Sequence, residues 1–293
     1  MSLHLYFETE SFYNTTEPSS LNDRVSELQT IFDKAQEMGD QIKKNDSIYE
    51  SEFYNAKKLY EWLYVDDDRS SSIEKIMLAR LLDRSESVDD NEYANVKMQL
   101  ETMKLYDDIG FICYSPTGYT ELHINNESDL VKLHRYYLRN YTDISLFIEE
   151  AGICFPHLYF HEGIKQSVNT LSSPFNEYIN EVIRHLSALN DDFVNLFSEN
   201  KNNLRKALTL FESKSNLECT LEGDRESARS RFSFQFQNIN GITVDVVCEP
   251  HTKLEGTGNK GDSKYRFDRI YFHQGNSTIE DGKVLIAHIG GHL

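Results

Sequence analysis

Apolar and polar positions alternate with a helical period through most of the first half of the chain. After a short apolar opening, His4-Leu5-Tyr6-Phe7, that reads as a strand, Leu21, Val25, Leu28, Ile31, Phe32, Ala35 and Met38 recur at three- and four-residue spacings. That stripe predicts an amphipathic helix over 21–44, capped by Ser20. Phe53, Ala56, Leu59, Tyr60 and Leu63 predict a second helix over 51–64, and Ile73, Ile76, Met77, Leu81 and Leu82 a third. Further helices are expected over 91–105, 128–139 and 142–150, the last capped by Thr142. Between them, 110–114 and 119–124 flank Pro116-Thr117-Gly118 and read as a β-hairpin.

The texture shifts at Gly152. An apolar segment over 153–160 leads into a short helix, and Pro174 opens a long helical region over 175–210, bent or broken near Asn190. A polar stretch with one strand follows, and from Phe232 the period is two. Strands are expected over 232–238, 242–254, 265–273 and 283–292. Asn240-Gly241 and Asp281-Gly282 supply tight turns, and a glycine-rich loop spans 256–261. The fold class predicted is α+β: a mainly helical region over 1–152, and a C-terminal antiparallel sheet packed on helices over 153–293.

Charge divides the chain in the same way. The net charge is −18; residues 1–156 carry 15 basic and 30 acidic side chains, the remainder 15 and 18. The acidic half repels nucleic acid and suits a protein partner, whereas the second half tolerates RNA. No apolar run reaches the roughly 18–20 residues that cross a bilayer, and the N-terminus lacks the basic flank of a signal peptide, so no membrane is called for and the protein is expected to be cytoplasmic. Cys113, Cys154, Cys219 and Cys248 form no C-x-x-C pair and read as buried apolar thiols rather than zinc ligands.

A long helix followed by three or four antiparallel strands, with Arg269-Ile270-Tyr271-Phe272 and then Gly282-Lys283-Val284-Leu285-Ile286-Ala287-His288, resembles the RelE/ParE-like toxins. The resemblance covers residues 153–293 at most. It implies a RelE-like domain and an RNA-cleaving effector of a bacterial toxin–antitoxin or phage-defence system. The family's basic tail is replaced here by Gly290-Gly291-His292.

Alternation places Arg269, Tyr271 and His273 on one face of their strand and Ile270 and Phe272 on the other. With the apolar pair against the long helix, the first set would stand open. Pro250 breaks the preceding strand and frees His251 and Lys253. Metal-independent RNA cleavage needs a base for the 2′-OH, an acid for the leaving oxygen and cations for the phosphorane. His251 or His273 fits the acid/base roles, and Arg269 and Lys253 fit the phosphate, with Arg266 and His288 as further contacts and Glu249 nearby. Tyr271 would stack a base or orient a histidine. No cofactor is implied. His288 and His292 have a metal-like spacing, but Gly290-Gly291 argues against the helix that spacing requires. His157 and His161 read as strand-edge or helix-cap residues. The alternative function is a non-enzymatic protein-binding subunit.

Overall fold

The structure is a computed structural model; it describes residues 1–13, 18–54, 56–67, 69, 71–115, 120–200, 203–221, 230–254 and 267–293. The chain forms two compact units, Met1–Tyr137 and Leu138–Leu293.

The first unit is built on a parallel sheet. Strands β1 (His4–Phe7) and β2 (Gln41–Asn45) are linked by helix α1 (Pro18–Glu37), and a small hairpin, β3 (Glu52–Tyr54) and β4 (Lys57–Lys58), follows. Helix α2 (Ser72–Asp83), β5 (Glu86–Val88), helix α3 (Asp90–Thr102), β6 (Ile109–Ile112), β7 (His123–Ile124) and helix α4 (Glu127–Leu138) complete it. The sheet order is β5-β2-β1-β6-β7, with every pair parallel. This is the Rossmann-like, doubly wound order, with the reversal between β1 and β6.

The expectation of a mainly helical N-terminal region is therefore corrected. The helix expected over 21–44 stops at Glu37, where Gly39 takes φ +82 and Asp40 N–H bonds back to the carbonyl of Ala35 at 2.9 Å. A left-handed glycine of this kind ends a helix, and the residues beyond it join β1 with Leu5 opposite Ile42. The helix expected over 51–64 is the β3–β4 hairpin plus a π-helical turn, Glu61–Val65. The segments expected as an antiparallel hairpin at 110–124 pair in parallel; the proposed turn at 116–118 lies outside the described residues.

Two polar devices lock this core. His134 Nε2 lies 2.8 Å from Asp40 Oδ2, both side chains almost wholly buried, and Asp40 Oδ1 accepts the Leu3 N–H at 2.9 Å. Arg24 of α1 donates to the carbonyls of Cys113, Tyr114 and Asn125, clasping the ends of β6 and β7.

The second unit opens with α5 (Ile144–Cys154), whose cap is Asp143 rather than Thr142, then β8 (Leu158–Phe160) and α6 (Ile164–Ser167). Helix α7 (Phe175–Ala188) passes without a break through a π turn, Leu189–Phe193, into α8 (Val194–Glu199); Asn190 lies in that turn, and the helical region expected over 175–210 is interrupted instead between Glu199 and Leu204. Helix α9 (Leu204–Ser215) and β9 (Cys219–Thr220) lead to β10 (Ser233–Gln237), β11 (Thr243–Val247), β12 (His251–Lys253), β13 (Asp268–His273) and β14 (Val284–Gly291). The main sheet runs β8-β14-β13-β12-β9 and is mostly antiparallel, but β8 pairs with β14 in parallel, so the sheet is mixed. β10 and β11 form a separate two-stranded sheet.

Candidate functional site

The register of the main sheet assembles most of the residues that the sequence singled out. His251 lies opposite Tyr271, and Tyr271 opposite His288, with Thr220 on the far side of His251. One row therefore crosses four strands. His251 and Tyr271 have ring centroids 5.0 Å apart, and Tyr271 and His288 meet edge-on at 5.7 Å. Lys253, Arg269 and Gly290 make the next row.

The division of faces holds as the alternation requires. Ile270, Thr252 and Phe272 belong to the helix-facing side, where Thr252 Oγ1 meets His185 Nδ1 of α7 at 2.7 Å and Phe272 packs edge-on against Phe193. On β14 the alternation fails, because the pairing slips one residue between Tyr271/His288 and Phe272/Ile286. That bulge puts Leu285, Ala287 and His288 together on the face of Tyr271.

This face is not open, and that expectation is corrected. Phe236, Val246 and Cys248 of the β10–β11 hairpin form one apolar cluster with Leu285 and Ala287, and Phe232 stacks on Tyr271 at 5.5 Å. Tyr271 is 0% exposed, His251 3% and His288 5%. The apolar residues of β10 and β11 need a surface to bury, and a sheet already covered by helices on one side offers only the other.

Each of these histidines has at least one ring nitrogen engaged internally. His251 Nδ1 lies 3.2 Å from the Glu249 carbonyl, to which it donates, and Nε2 lies 3.0 Å from Thr220 Oγ1. His288 Nε2 donates to the Gly291 carbonyl at 2.9 Å, and burial holds its pKa below the usual histidine value. His273 is half-buried with its pKa likewise depressed by burial, and its Nδ1 accepts the Gly275 N–H at 3.2 Å. Lys253 is paired with Glu218, and Arg269 NH1 donates to the Asp268 carbonyl at 3.2 Å. Arg266 lies outside the described residues, as does the 256–261 loop. His292 is exposed beside Phe267. His161 caps its turn, accepting the Gly163 N–H at 3.0 Å. Convergence is thus real, but a base stacked on Tyr271 or a phosphate at His288 has no route to either ring.

The doubly wound first unit raises a second candidate. Such sheets take ligands beyond the strand C-termini at the reversal, here between β1 and β6. That position is filled. Tyr114, Phe12, Phe53 and Trp62 close it with centroids of neighbouring rings 5.0–6.1 Å apart. Beside this plug, Lys97 of α3 bridges Glu8 and Glu10 just past β1. Glu8 is 4% exposed, and among the described residues its Oε2 has no hydrogen-bond partner. Burial, with the Glu10 carboxyl adding to it and Lys97 opposing, pushes the Glu8 pKa up to about 7. The sequence places Glu8 directly after a short strand, but only the fold of the first unit brings Lys97 of α3 beside it and buries it. No group of His, Cys, Asp and Glu among the described residues is arranged to hold a metal ion. No helix of the described residues is long and apolar enough to cross a membrane.

No family model matches the chain, and no curated protein or solved structure matches it.

Proposed function

We propose that the protein acts by binding: it is a non-enzymatic subunit whose first unit docks a protein partner through an exposed apolar surface. The observation that carries this reading is Tyr64 and Val65 on the π turn and Ile73 and Ile76 on α2, all 53–66% exposed on two successive helical elements. Apolar side chains of this size are ordinarily spent on a core; Ile73 and Ile76, three residues apart at the start of α2, expose theirs on one helix face, which suits an interaction surface. Tyr64 donates to Asp83 at 3.3 Å, so its ring is held across the end of α2 rather than free to fold inward. Given the acidic balance of the first half, the partner that fits is an amphipathic helix with an apolar face and basic flanks.

The experiment is co-purification of the tagged full chain with one stoichiometric partner, repeated with Ile73→Glu/Ile76→Glu. Two charged replacements on the apolar face should lower affinity about 100-fold or more while circular dichroism is unchanged. Partner retention by the folded double variant, or a wild-type chain that purifies alone, contradicts the reading.

A second reading, the toxin-like RNA-cleaving effector with a RelE-like C-terminal unit, retains one support: Arg269 and His273 are only half-buried on the strand that carries the resemblance. The parallel β8 and the covering hairpin are departures from the helix-then-antiparallel-sheet pattern on which that resemblance rests.

A further inference from the structure

The second unit holds a cavity of about 390 Å³ between α8 and the loop that joins β13 to β14. It lies at the start of β14, four residues before His288 of the buried row. Its volume falls within the roughly 300–1,000 Å³ of small-ligand sites.

Three features give it a chemical character. The parallel register sets Val284 opposite Leu158, so the residues before them, Lys283 and His157, stand abreast at the cavity. His157 is exposed and Lys283 half-buried, and among the described residues no acid pairs with Lys283. A lysine and a histidine side by side without a carboxylate between them suit a phosphate. The opposite wall is apolar: Val194 and a half-buried Phe197, which stacks on Phe193 at 5.9 Å with an interplanar angle of 12°. The two rings are near-parallel but offset, so Phe197 keeps aromatic surface at the cavity wall for a planar group.

The floor is a loop held in costly backbone. Glu280, Asp281 and Gly282 take φ of +43, +53 and +80, and Gly275 takes +110 with no space for a side chain, since a Cβ there would lie 2.3 Å from the Gly282 carbonyl oxygen. Two consecutive non-glycine residues in the left-handed region are unfavourable, and such strain gathers at ligand-binding loops. Asp281 also lines the cavity, and a carboxylate there can accept from a sugar hydroxyl while repelling a polyphosphate. We infer that the cavity binds a nucleoside monophosphate, with the phosphate on Lys283 and His157, the base on Phe197 and the ribose toward Asp281. This site does not depend on the docking surface proposed above.

The test is calorimetric titration of the full chain with adenosine 5′-monophosphate, adenosine and inorganic phosphate. The monophosphate should bind at least about tenfold more tightly than either fragment. Lys283→Gln should weaken it about tenfold with an unchanged melting temperature, and Phe197→Ala should weaken the monophosphate and adenosine but not phosphate. In the wild type, the His157 ring proton resonance should move on titration, a readout that needs no variant to fold. Equal affinity for phosphate alone, no monophosphate binding at millimolar concentration, a stationary His157 resonance, or undiminished binding by Lys283→Gln would each overturn the assignment.

Discussion

Tyr271→Ala should destabilise the protein by about 3–5 kcal/mol, the range for emptying a fully buried aromatic site. The ring is 0% exposed, stacked on Phe232 and flanked by His251 and His288, so three neighbours lose their packing surface together. Tyr271→Phe keeps the ring and loses a hydroxyl whose contact with the Leu293 N–H is long, at 3.4 Å, so about 1 kcal/mol is expected. Urea unfolding of both variants checks this. Comparable small losses for the two would mean that the hairpin does not seal the row.

The second large effect concerns pH. Glu8 is raised from 4.5 to about 7 in the fold, chiefly by burial, so between those values the folded chain holds a proton that the unfolded chain has released. For a carboxyl raised in this way, stability is fully present below about pH 4.5 and is lost as pH rises through about 7. Glu10 shifts the opposite way: burial pushes it up, but the neighbouring Glu8 carboxyl and Lys97 outweigh this and bring it to about 2. Its contribution is lost only below pH 4.5, outside that window. The two carboxyls titrate as a pair, so the observable is their joint curve. The wild type should lose on the order of 2 kcal/mol between pH 5 and 8 relative to Glu8→Gln, whose amide does not ionise. Taking the difference removes the histidines, which act in the other direction: His123, His273 and His288 are depressed by burial and favour the fold at higher pH. Parallel curves for the two proteins would contradict the assignment.

What the sequence reveals and what it hides follow from the same physics. Strict alternation over Arg269–His273 sorts the faces of β13, because a period of two leaves no choice once Ile270 and Phe272 are buried. Asn240-Gly241 marks the β10–β11 hairpin, and Gly241 takes φ +72 there. The openness of the face was not legible, because burial by the hairpin is a tertiary event that leaves Ser233–Gln237 with an ordinary alternating pattern. The bulge on β14 was hidden in a strand apolar on both sides. In the first unit, β2 reads Gln-Ile-Lys-Lys-Asn, with one apolar residue and two lysines, and only pairing to β1 and β5 makes it a strand. The signal that was present is Gly39, which stops α1 and frees the residues that follow. A cavity such as that beside Lys283 depends on bringing α8 against a turn more than 70 residues away, which no local pattern encodes.

Binding rather than catalysis is most directly tested by incubating the purified full chain with total RNA in the presence of chelator. With Tyr271, His251 and His288 sealed, both nitrogens of His251 engaged and His288 Nε2 bound to the Gly291 carbonyl, no fragments should form beyond those in a protein-free control. Fragments that appear with the wild type and disappear with Arg269→Ala would contradict this and establish the sheet as a metal-independent ribonuclease site.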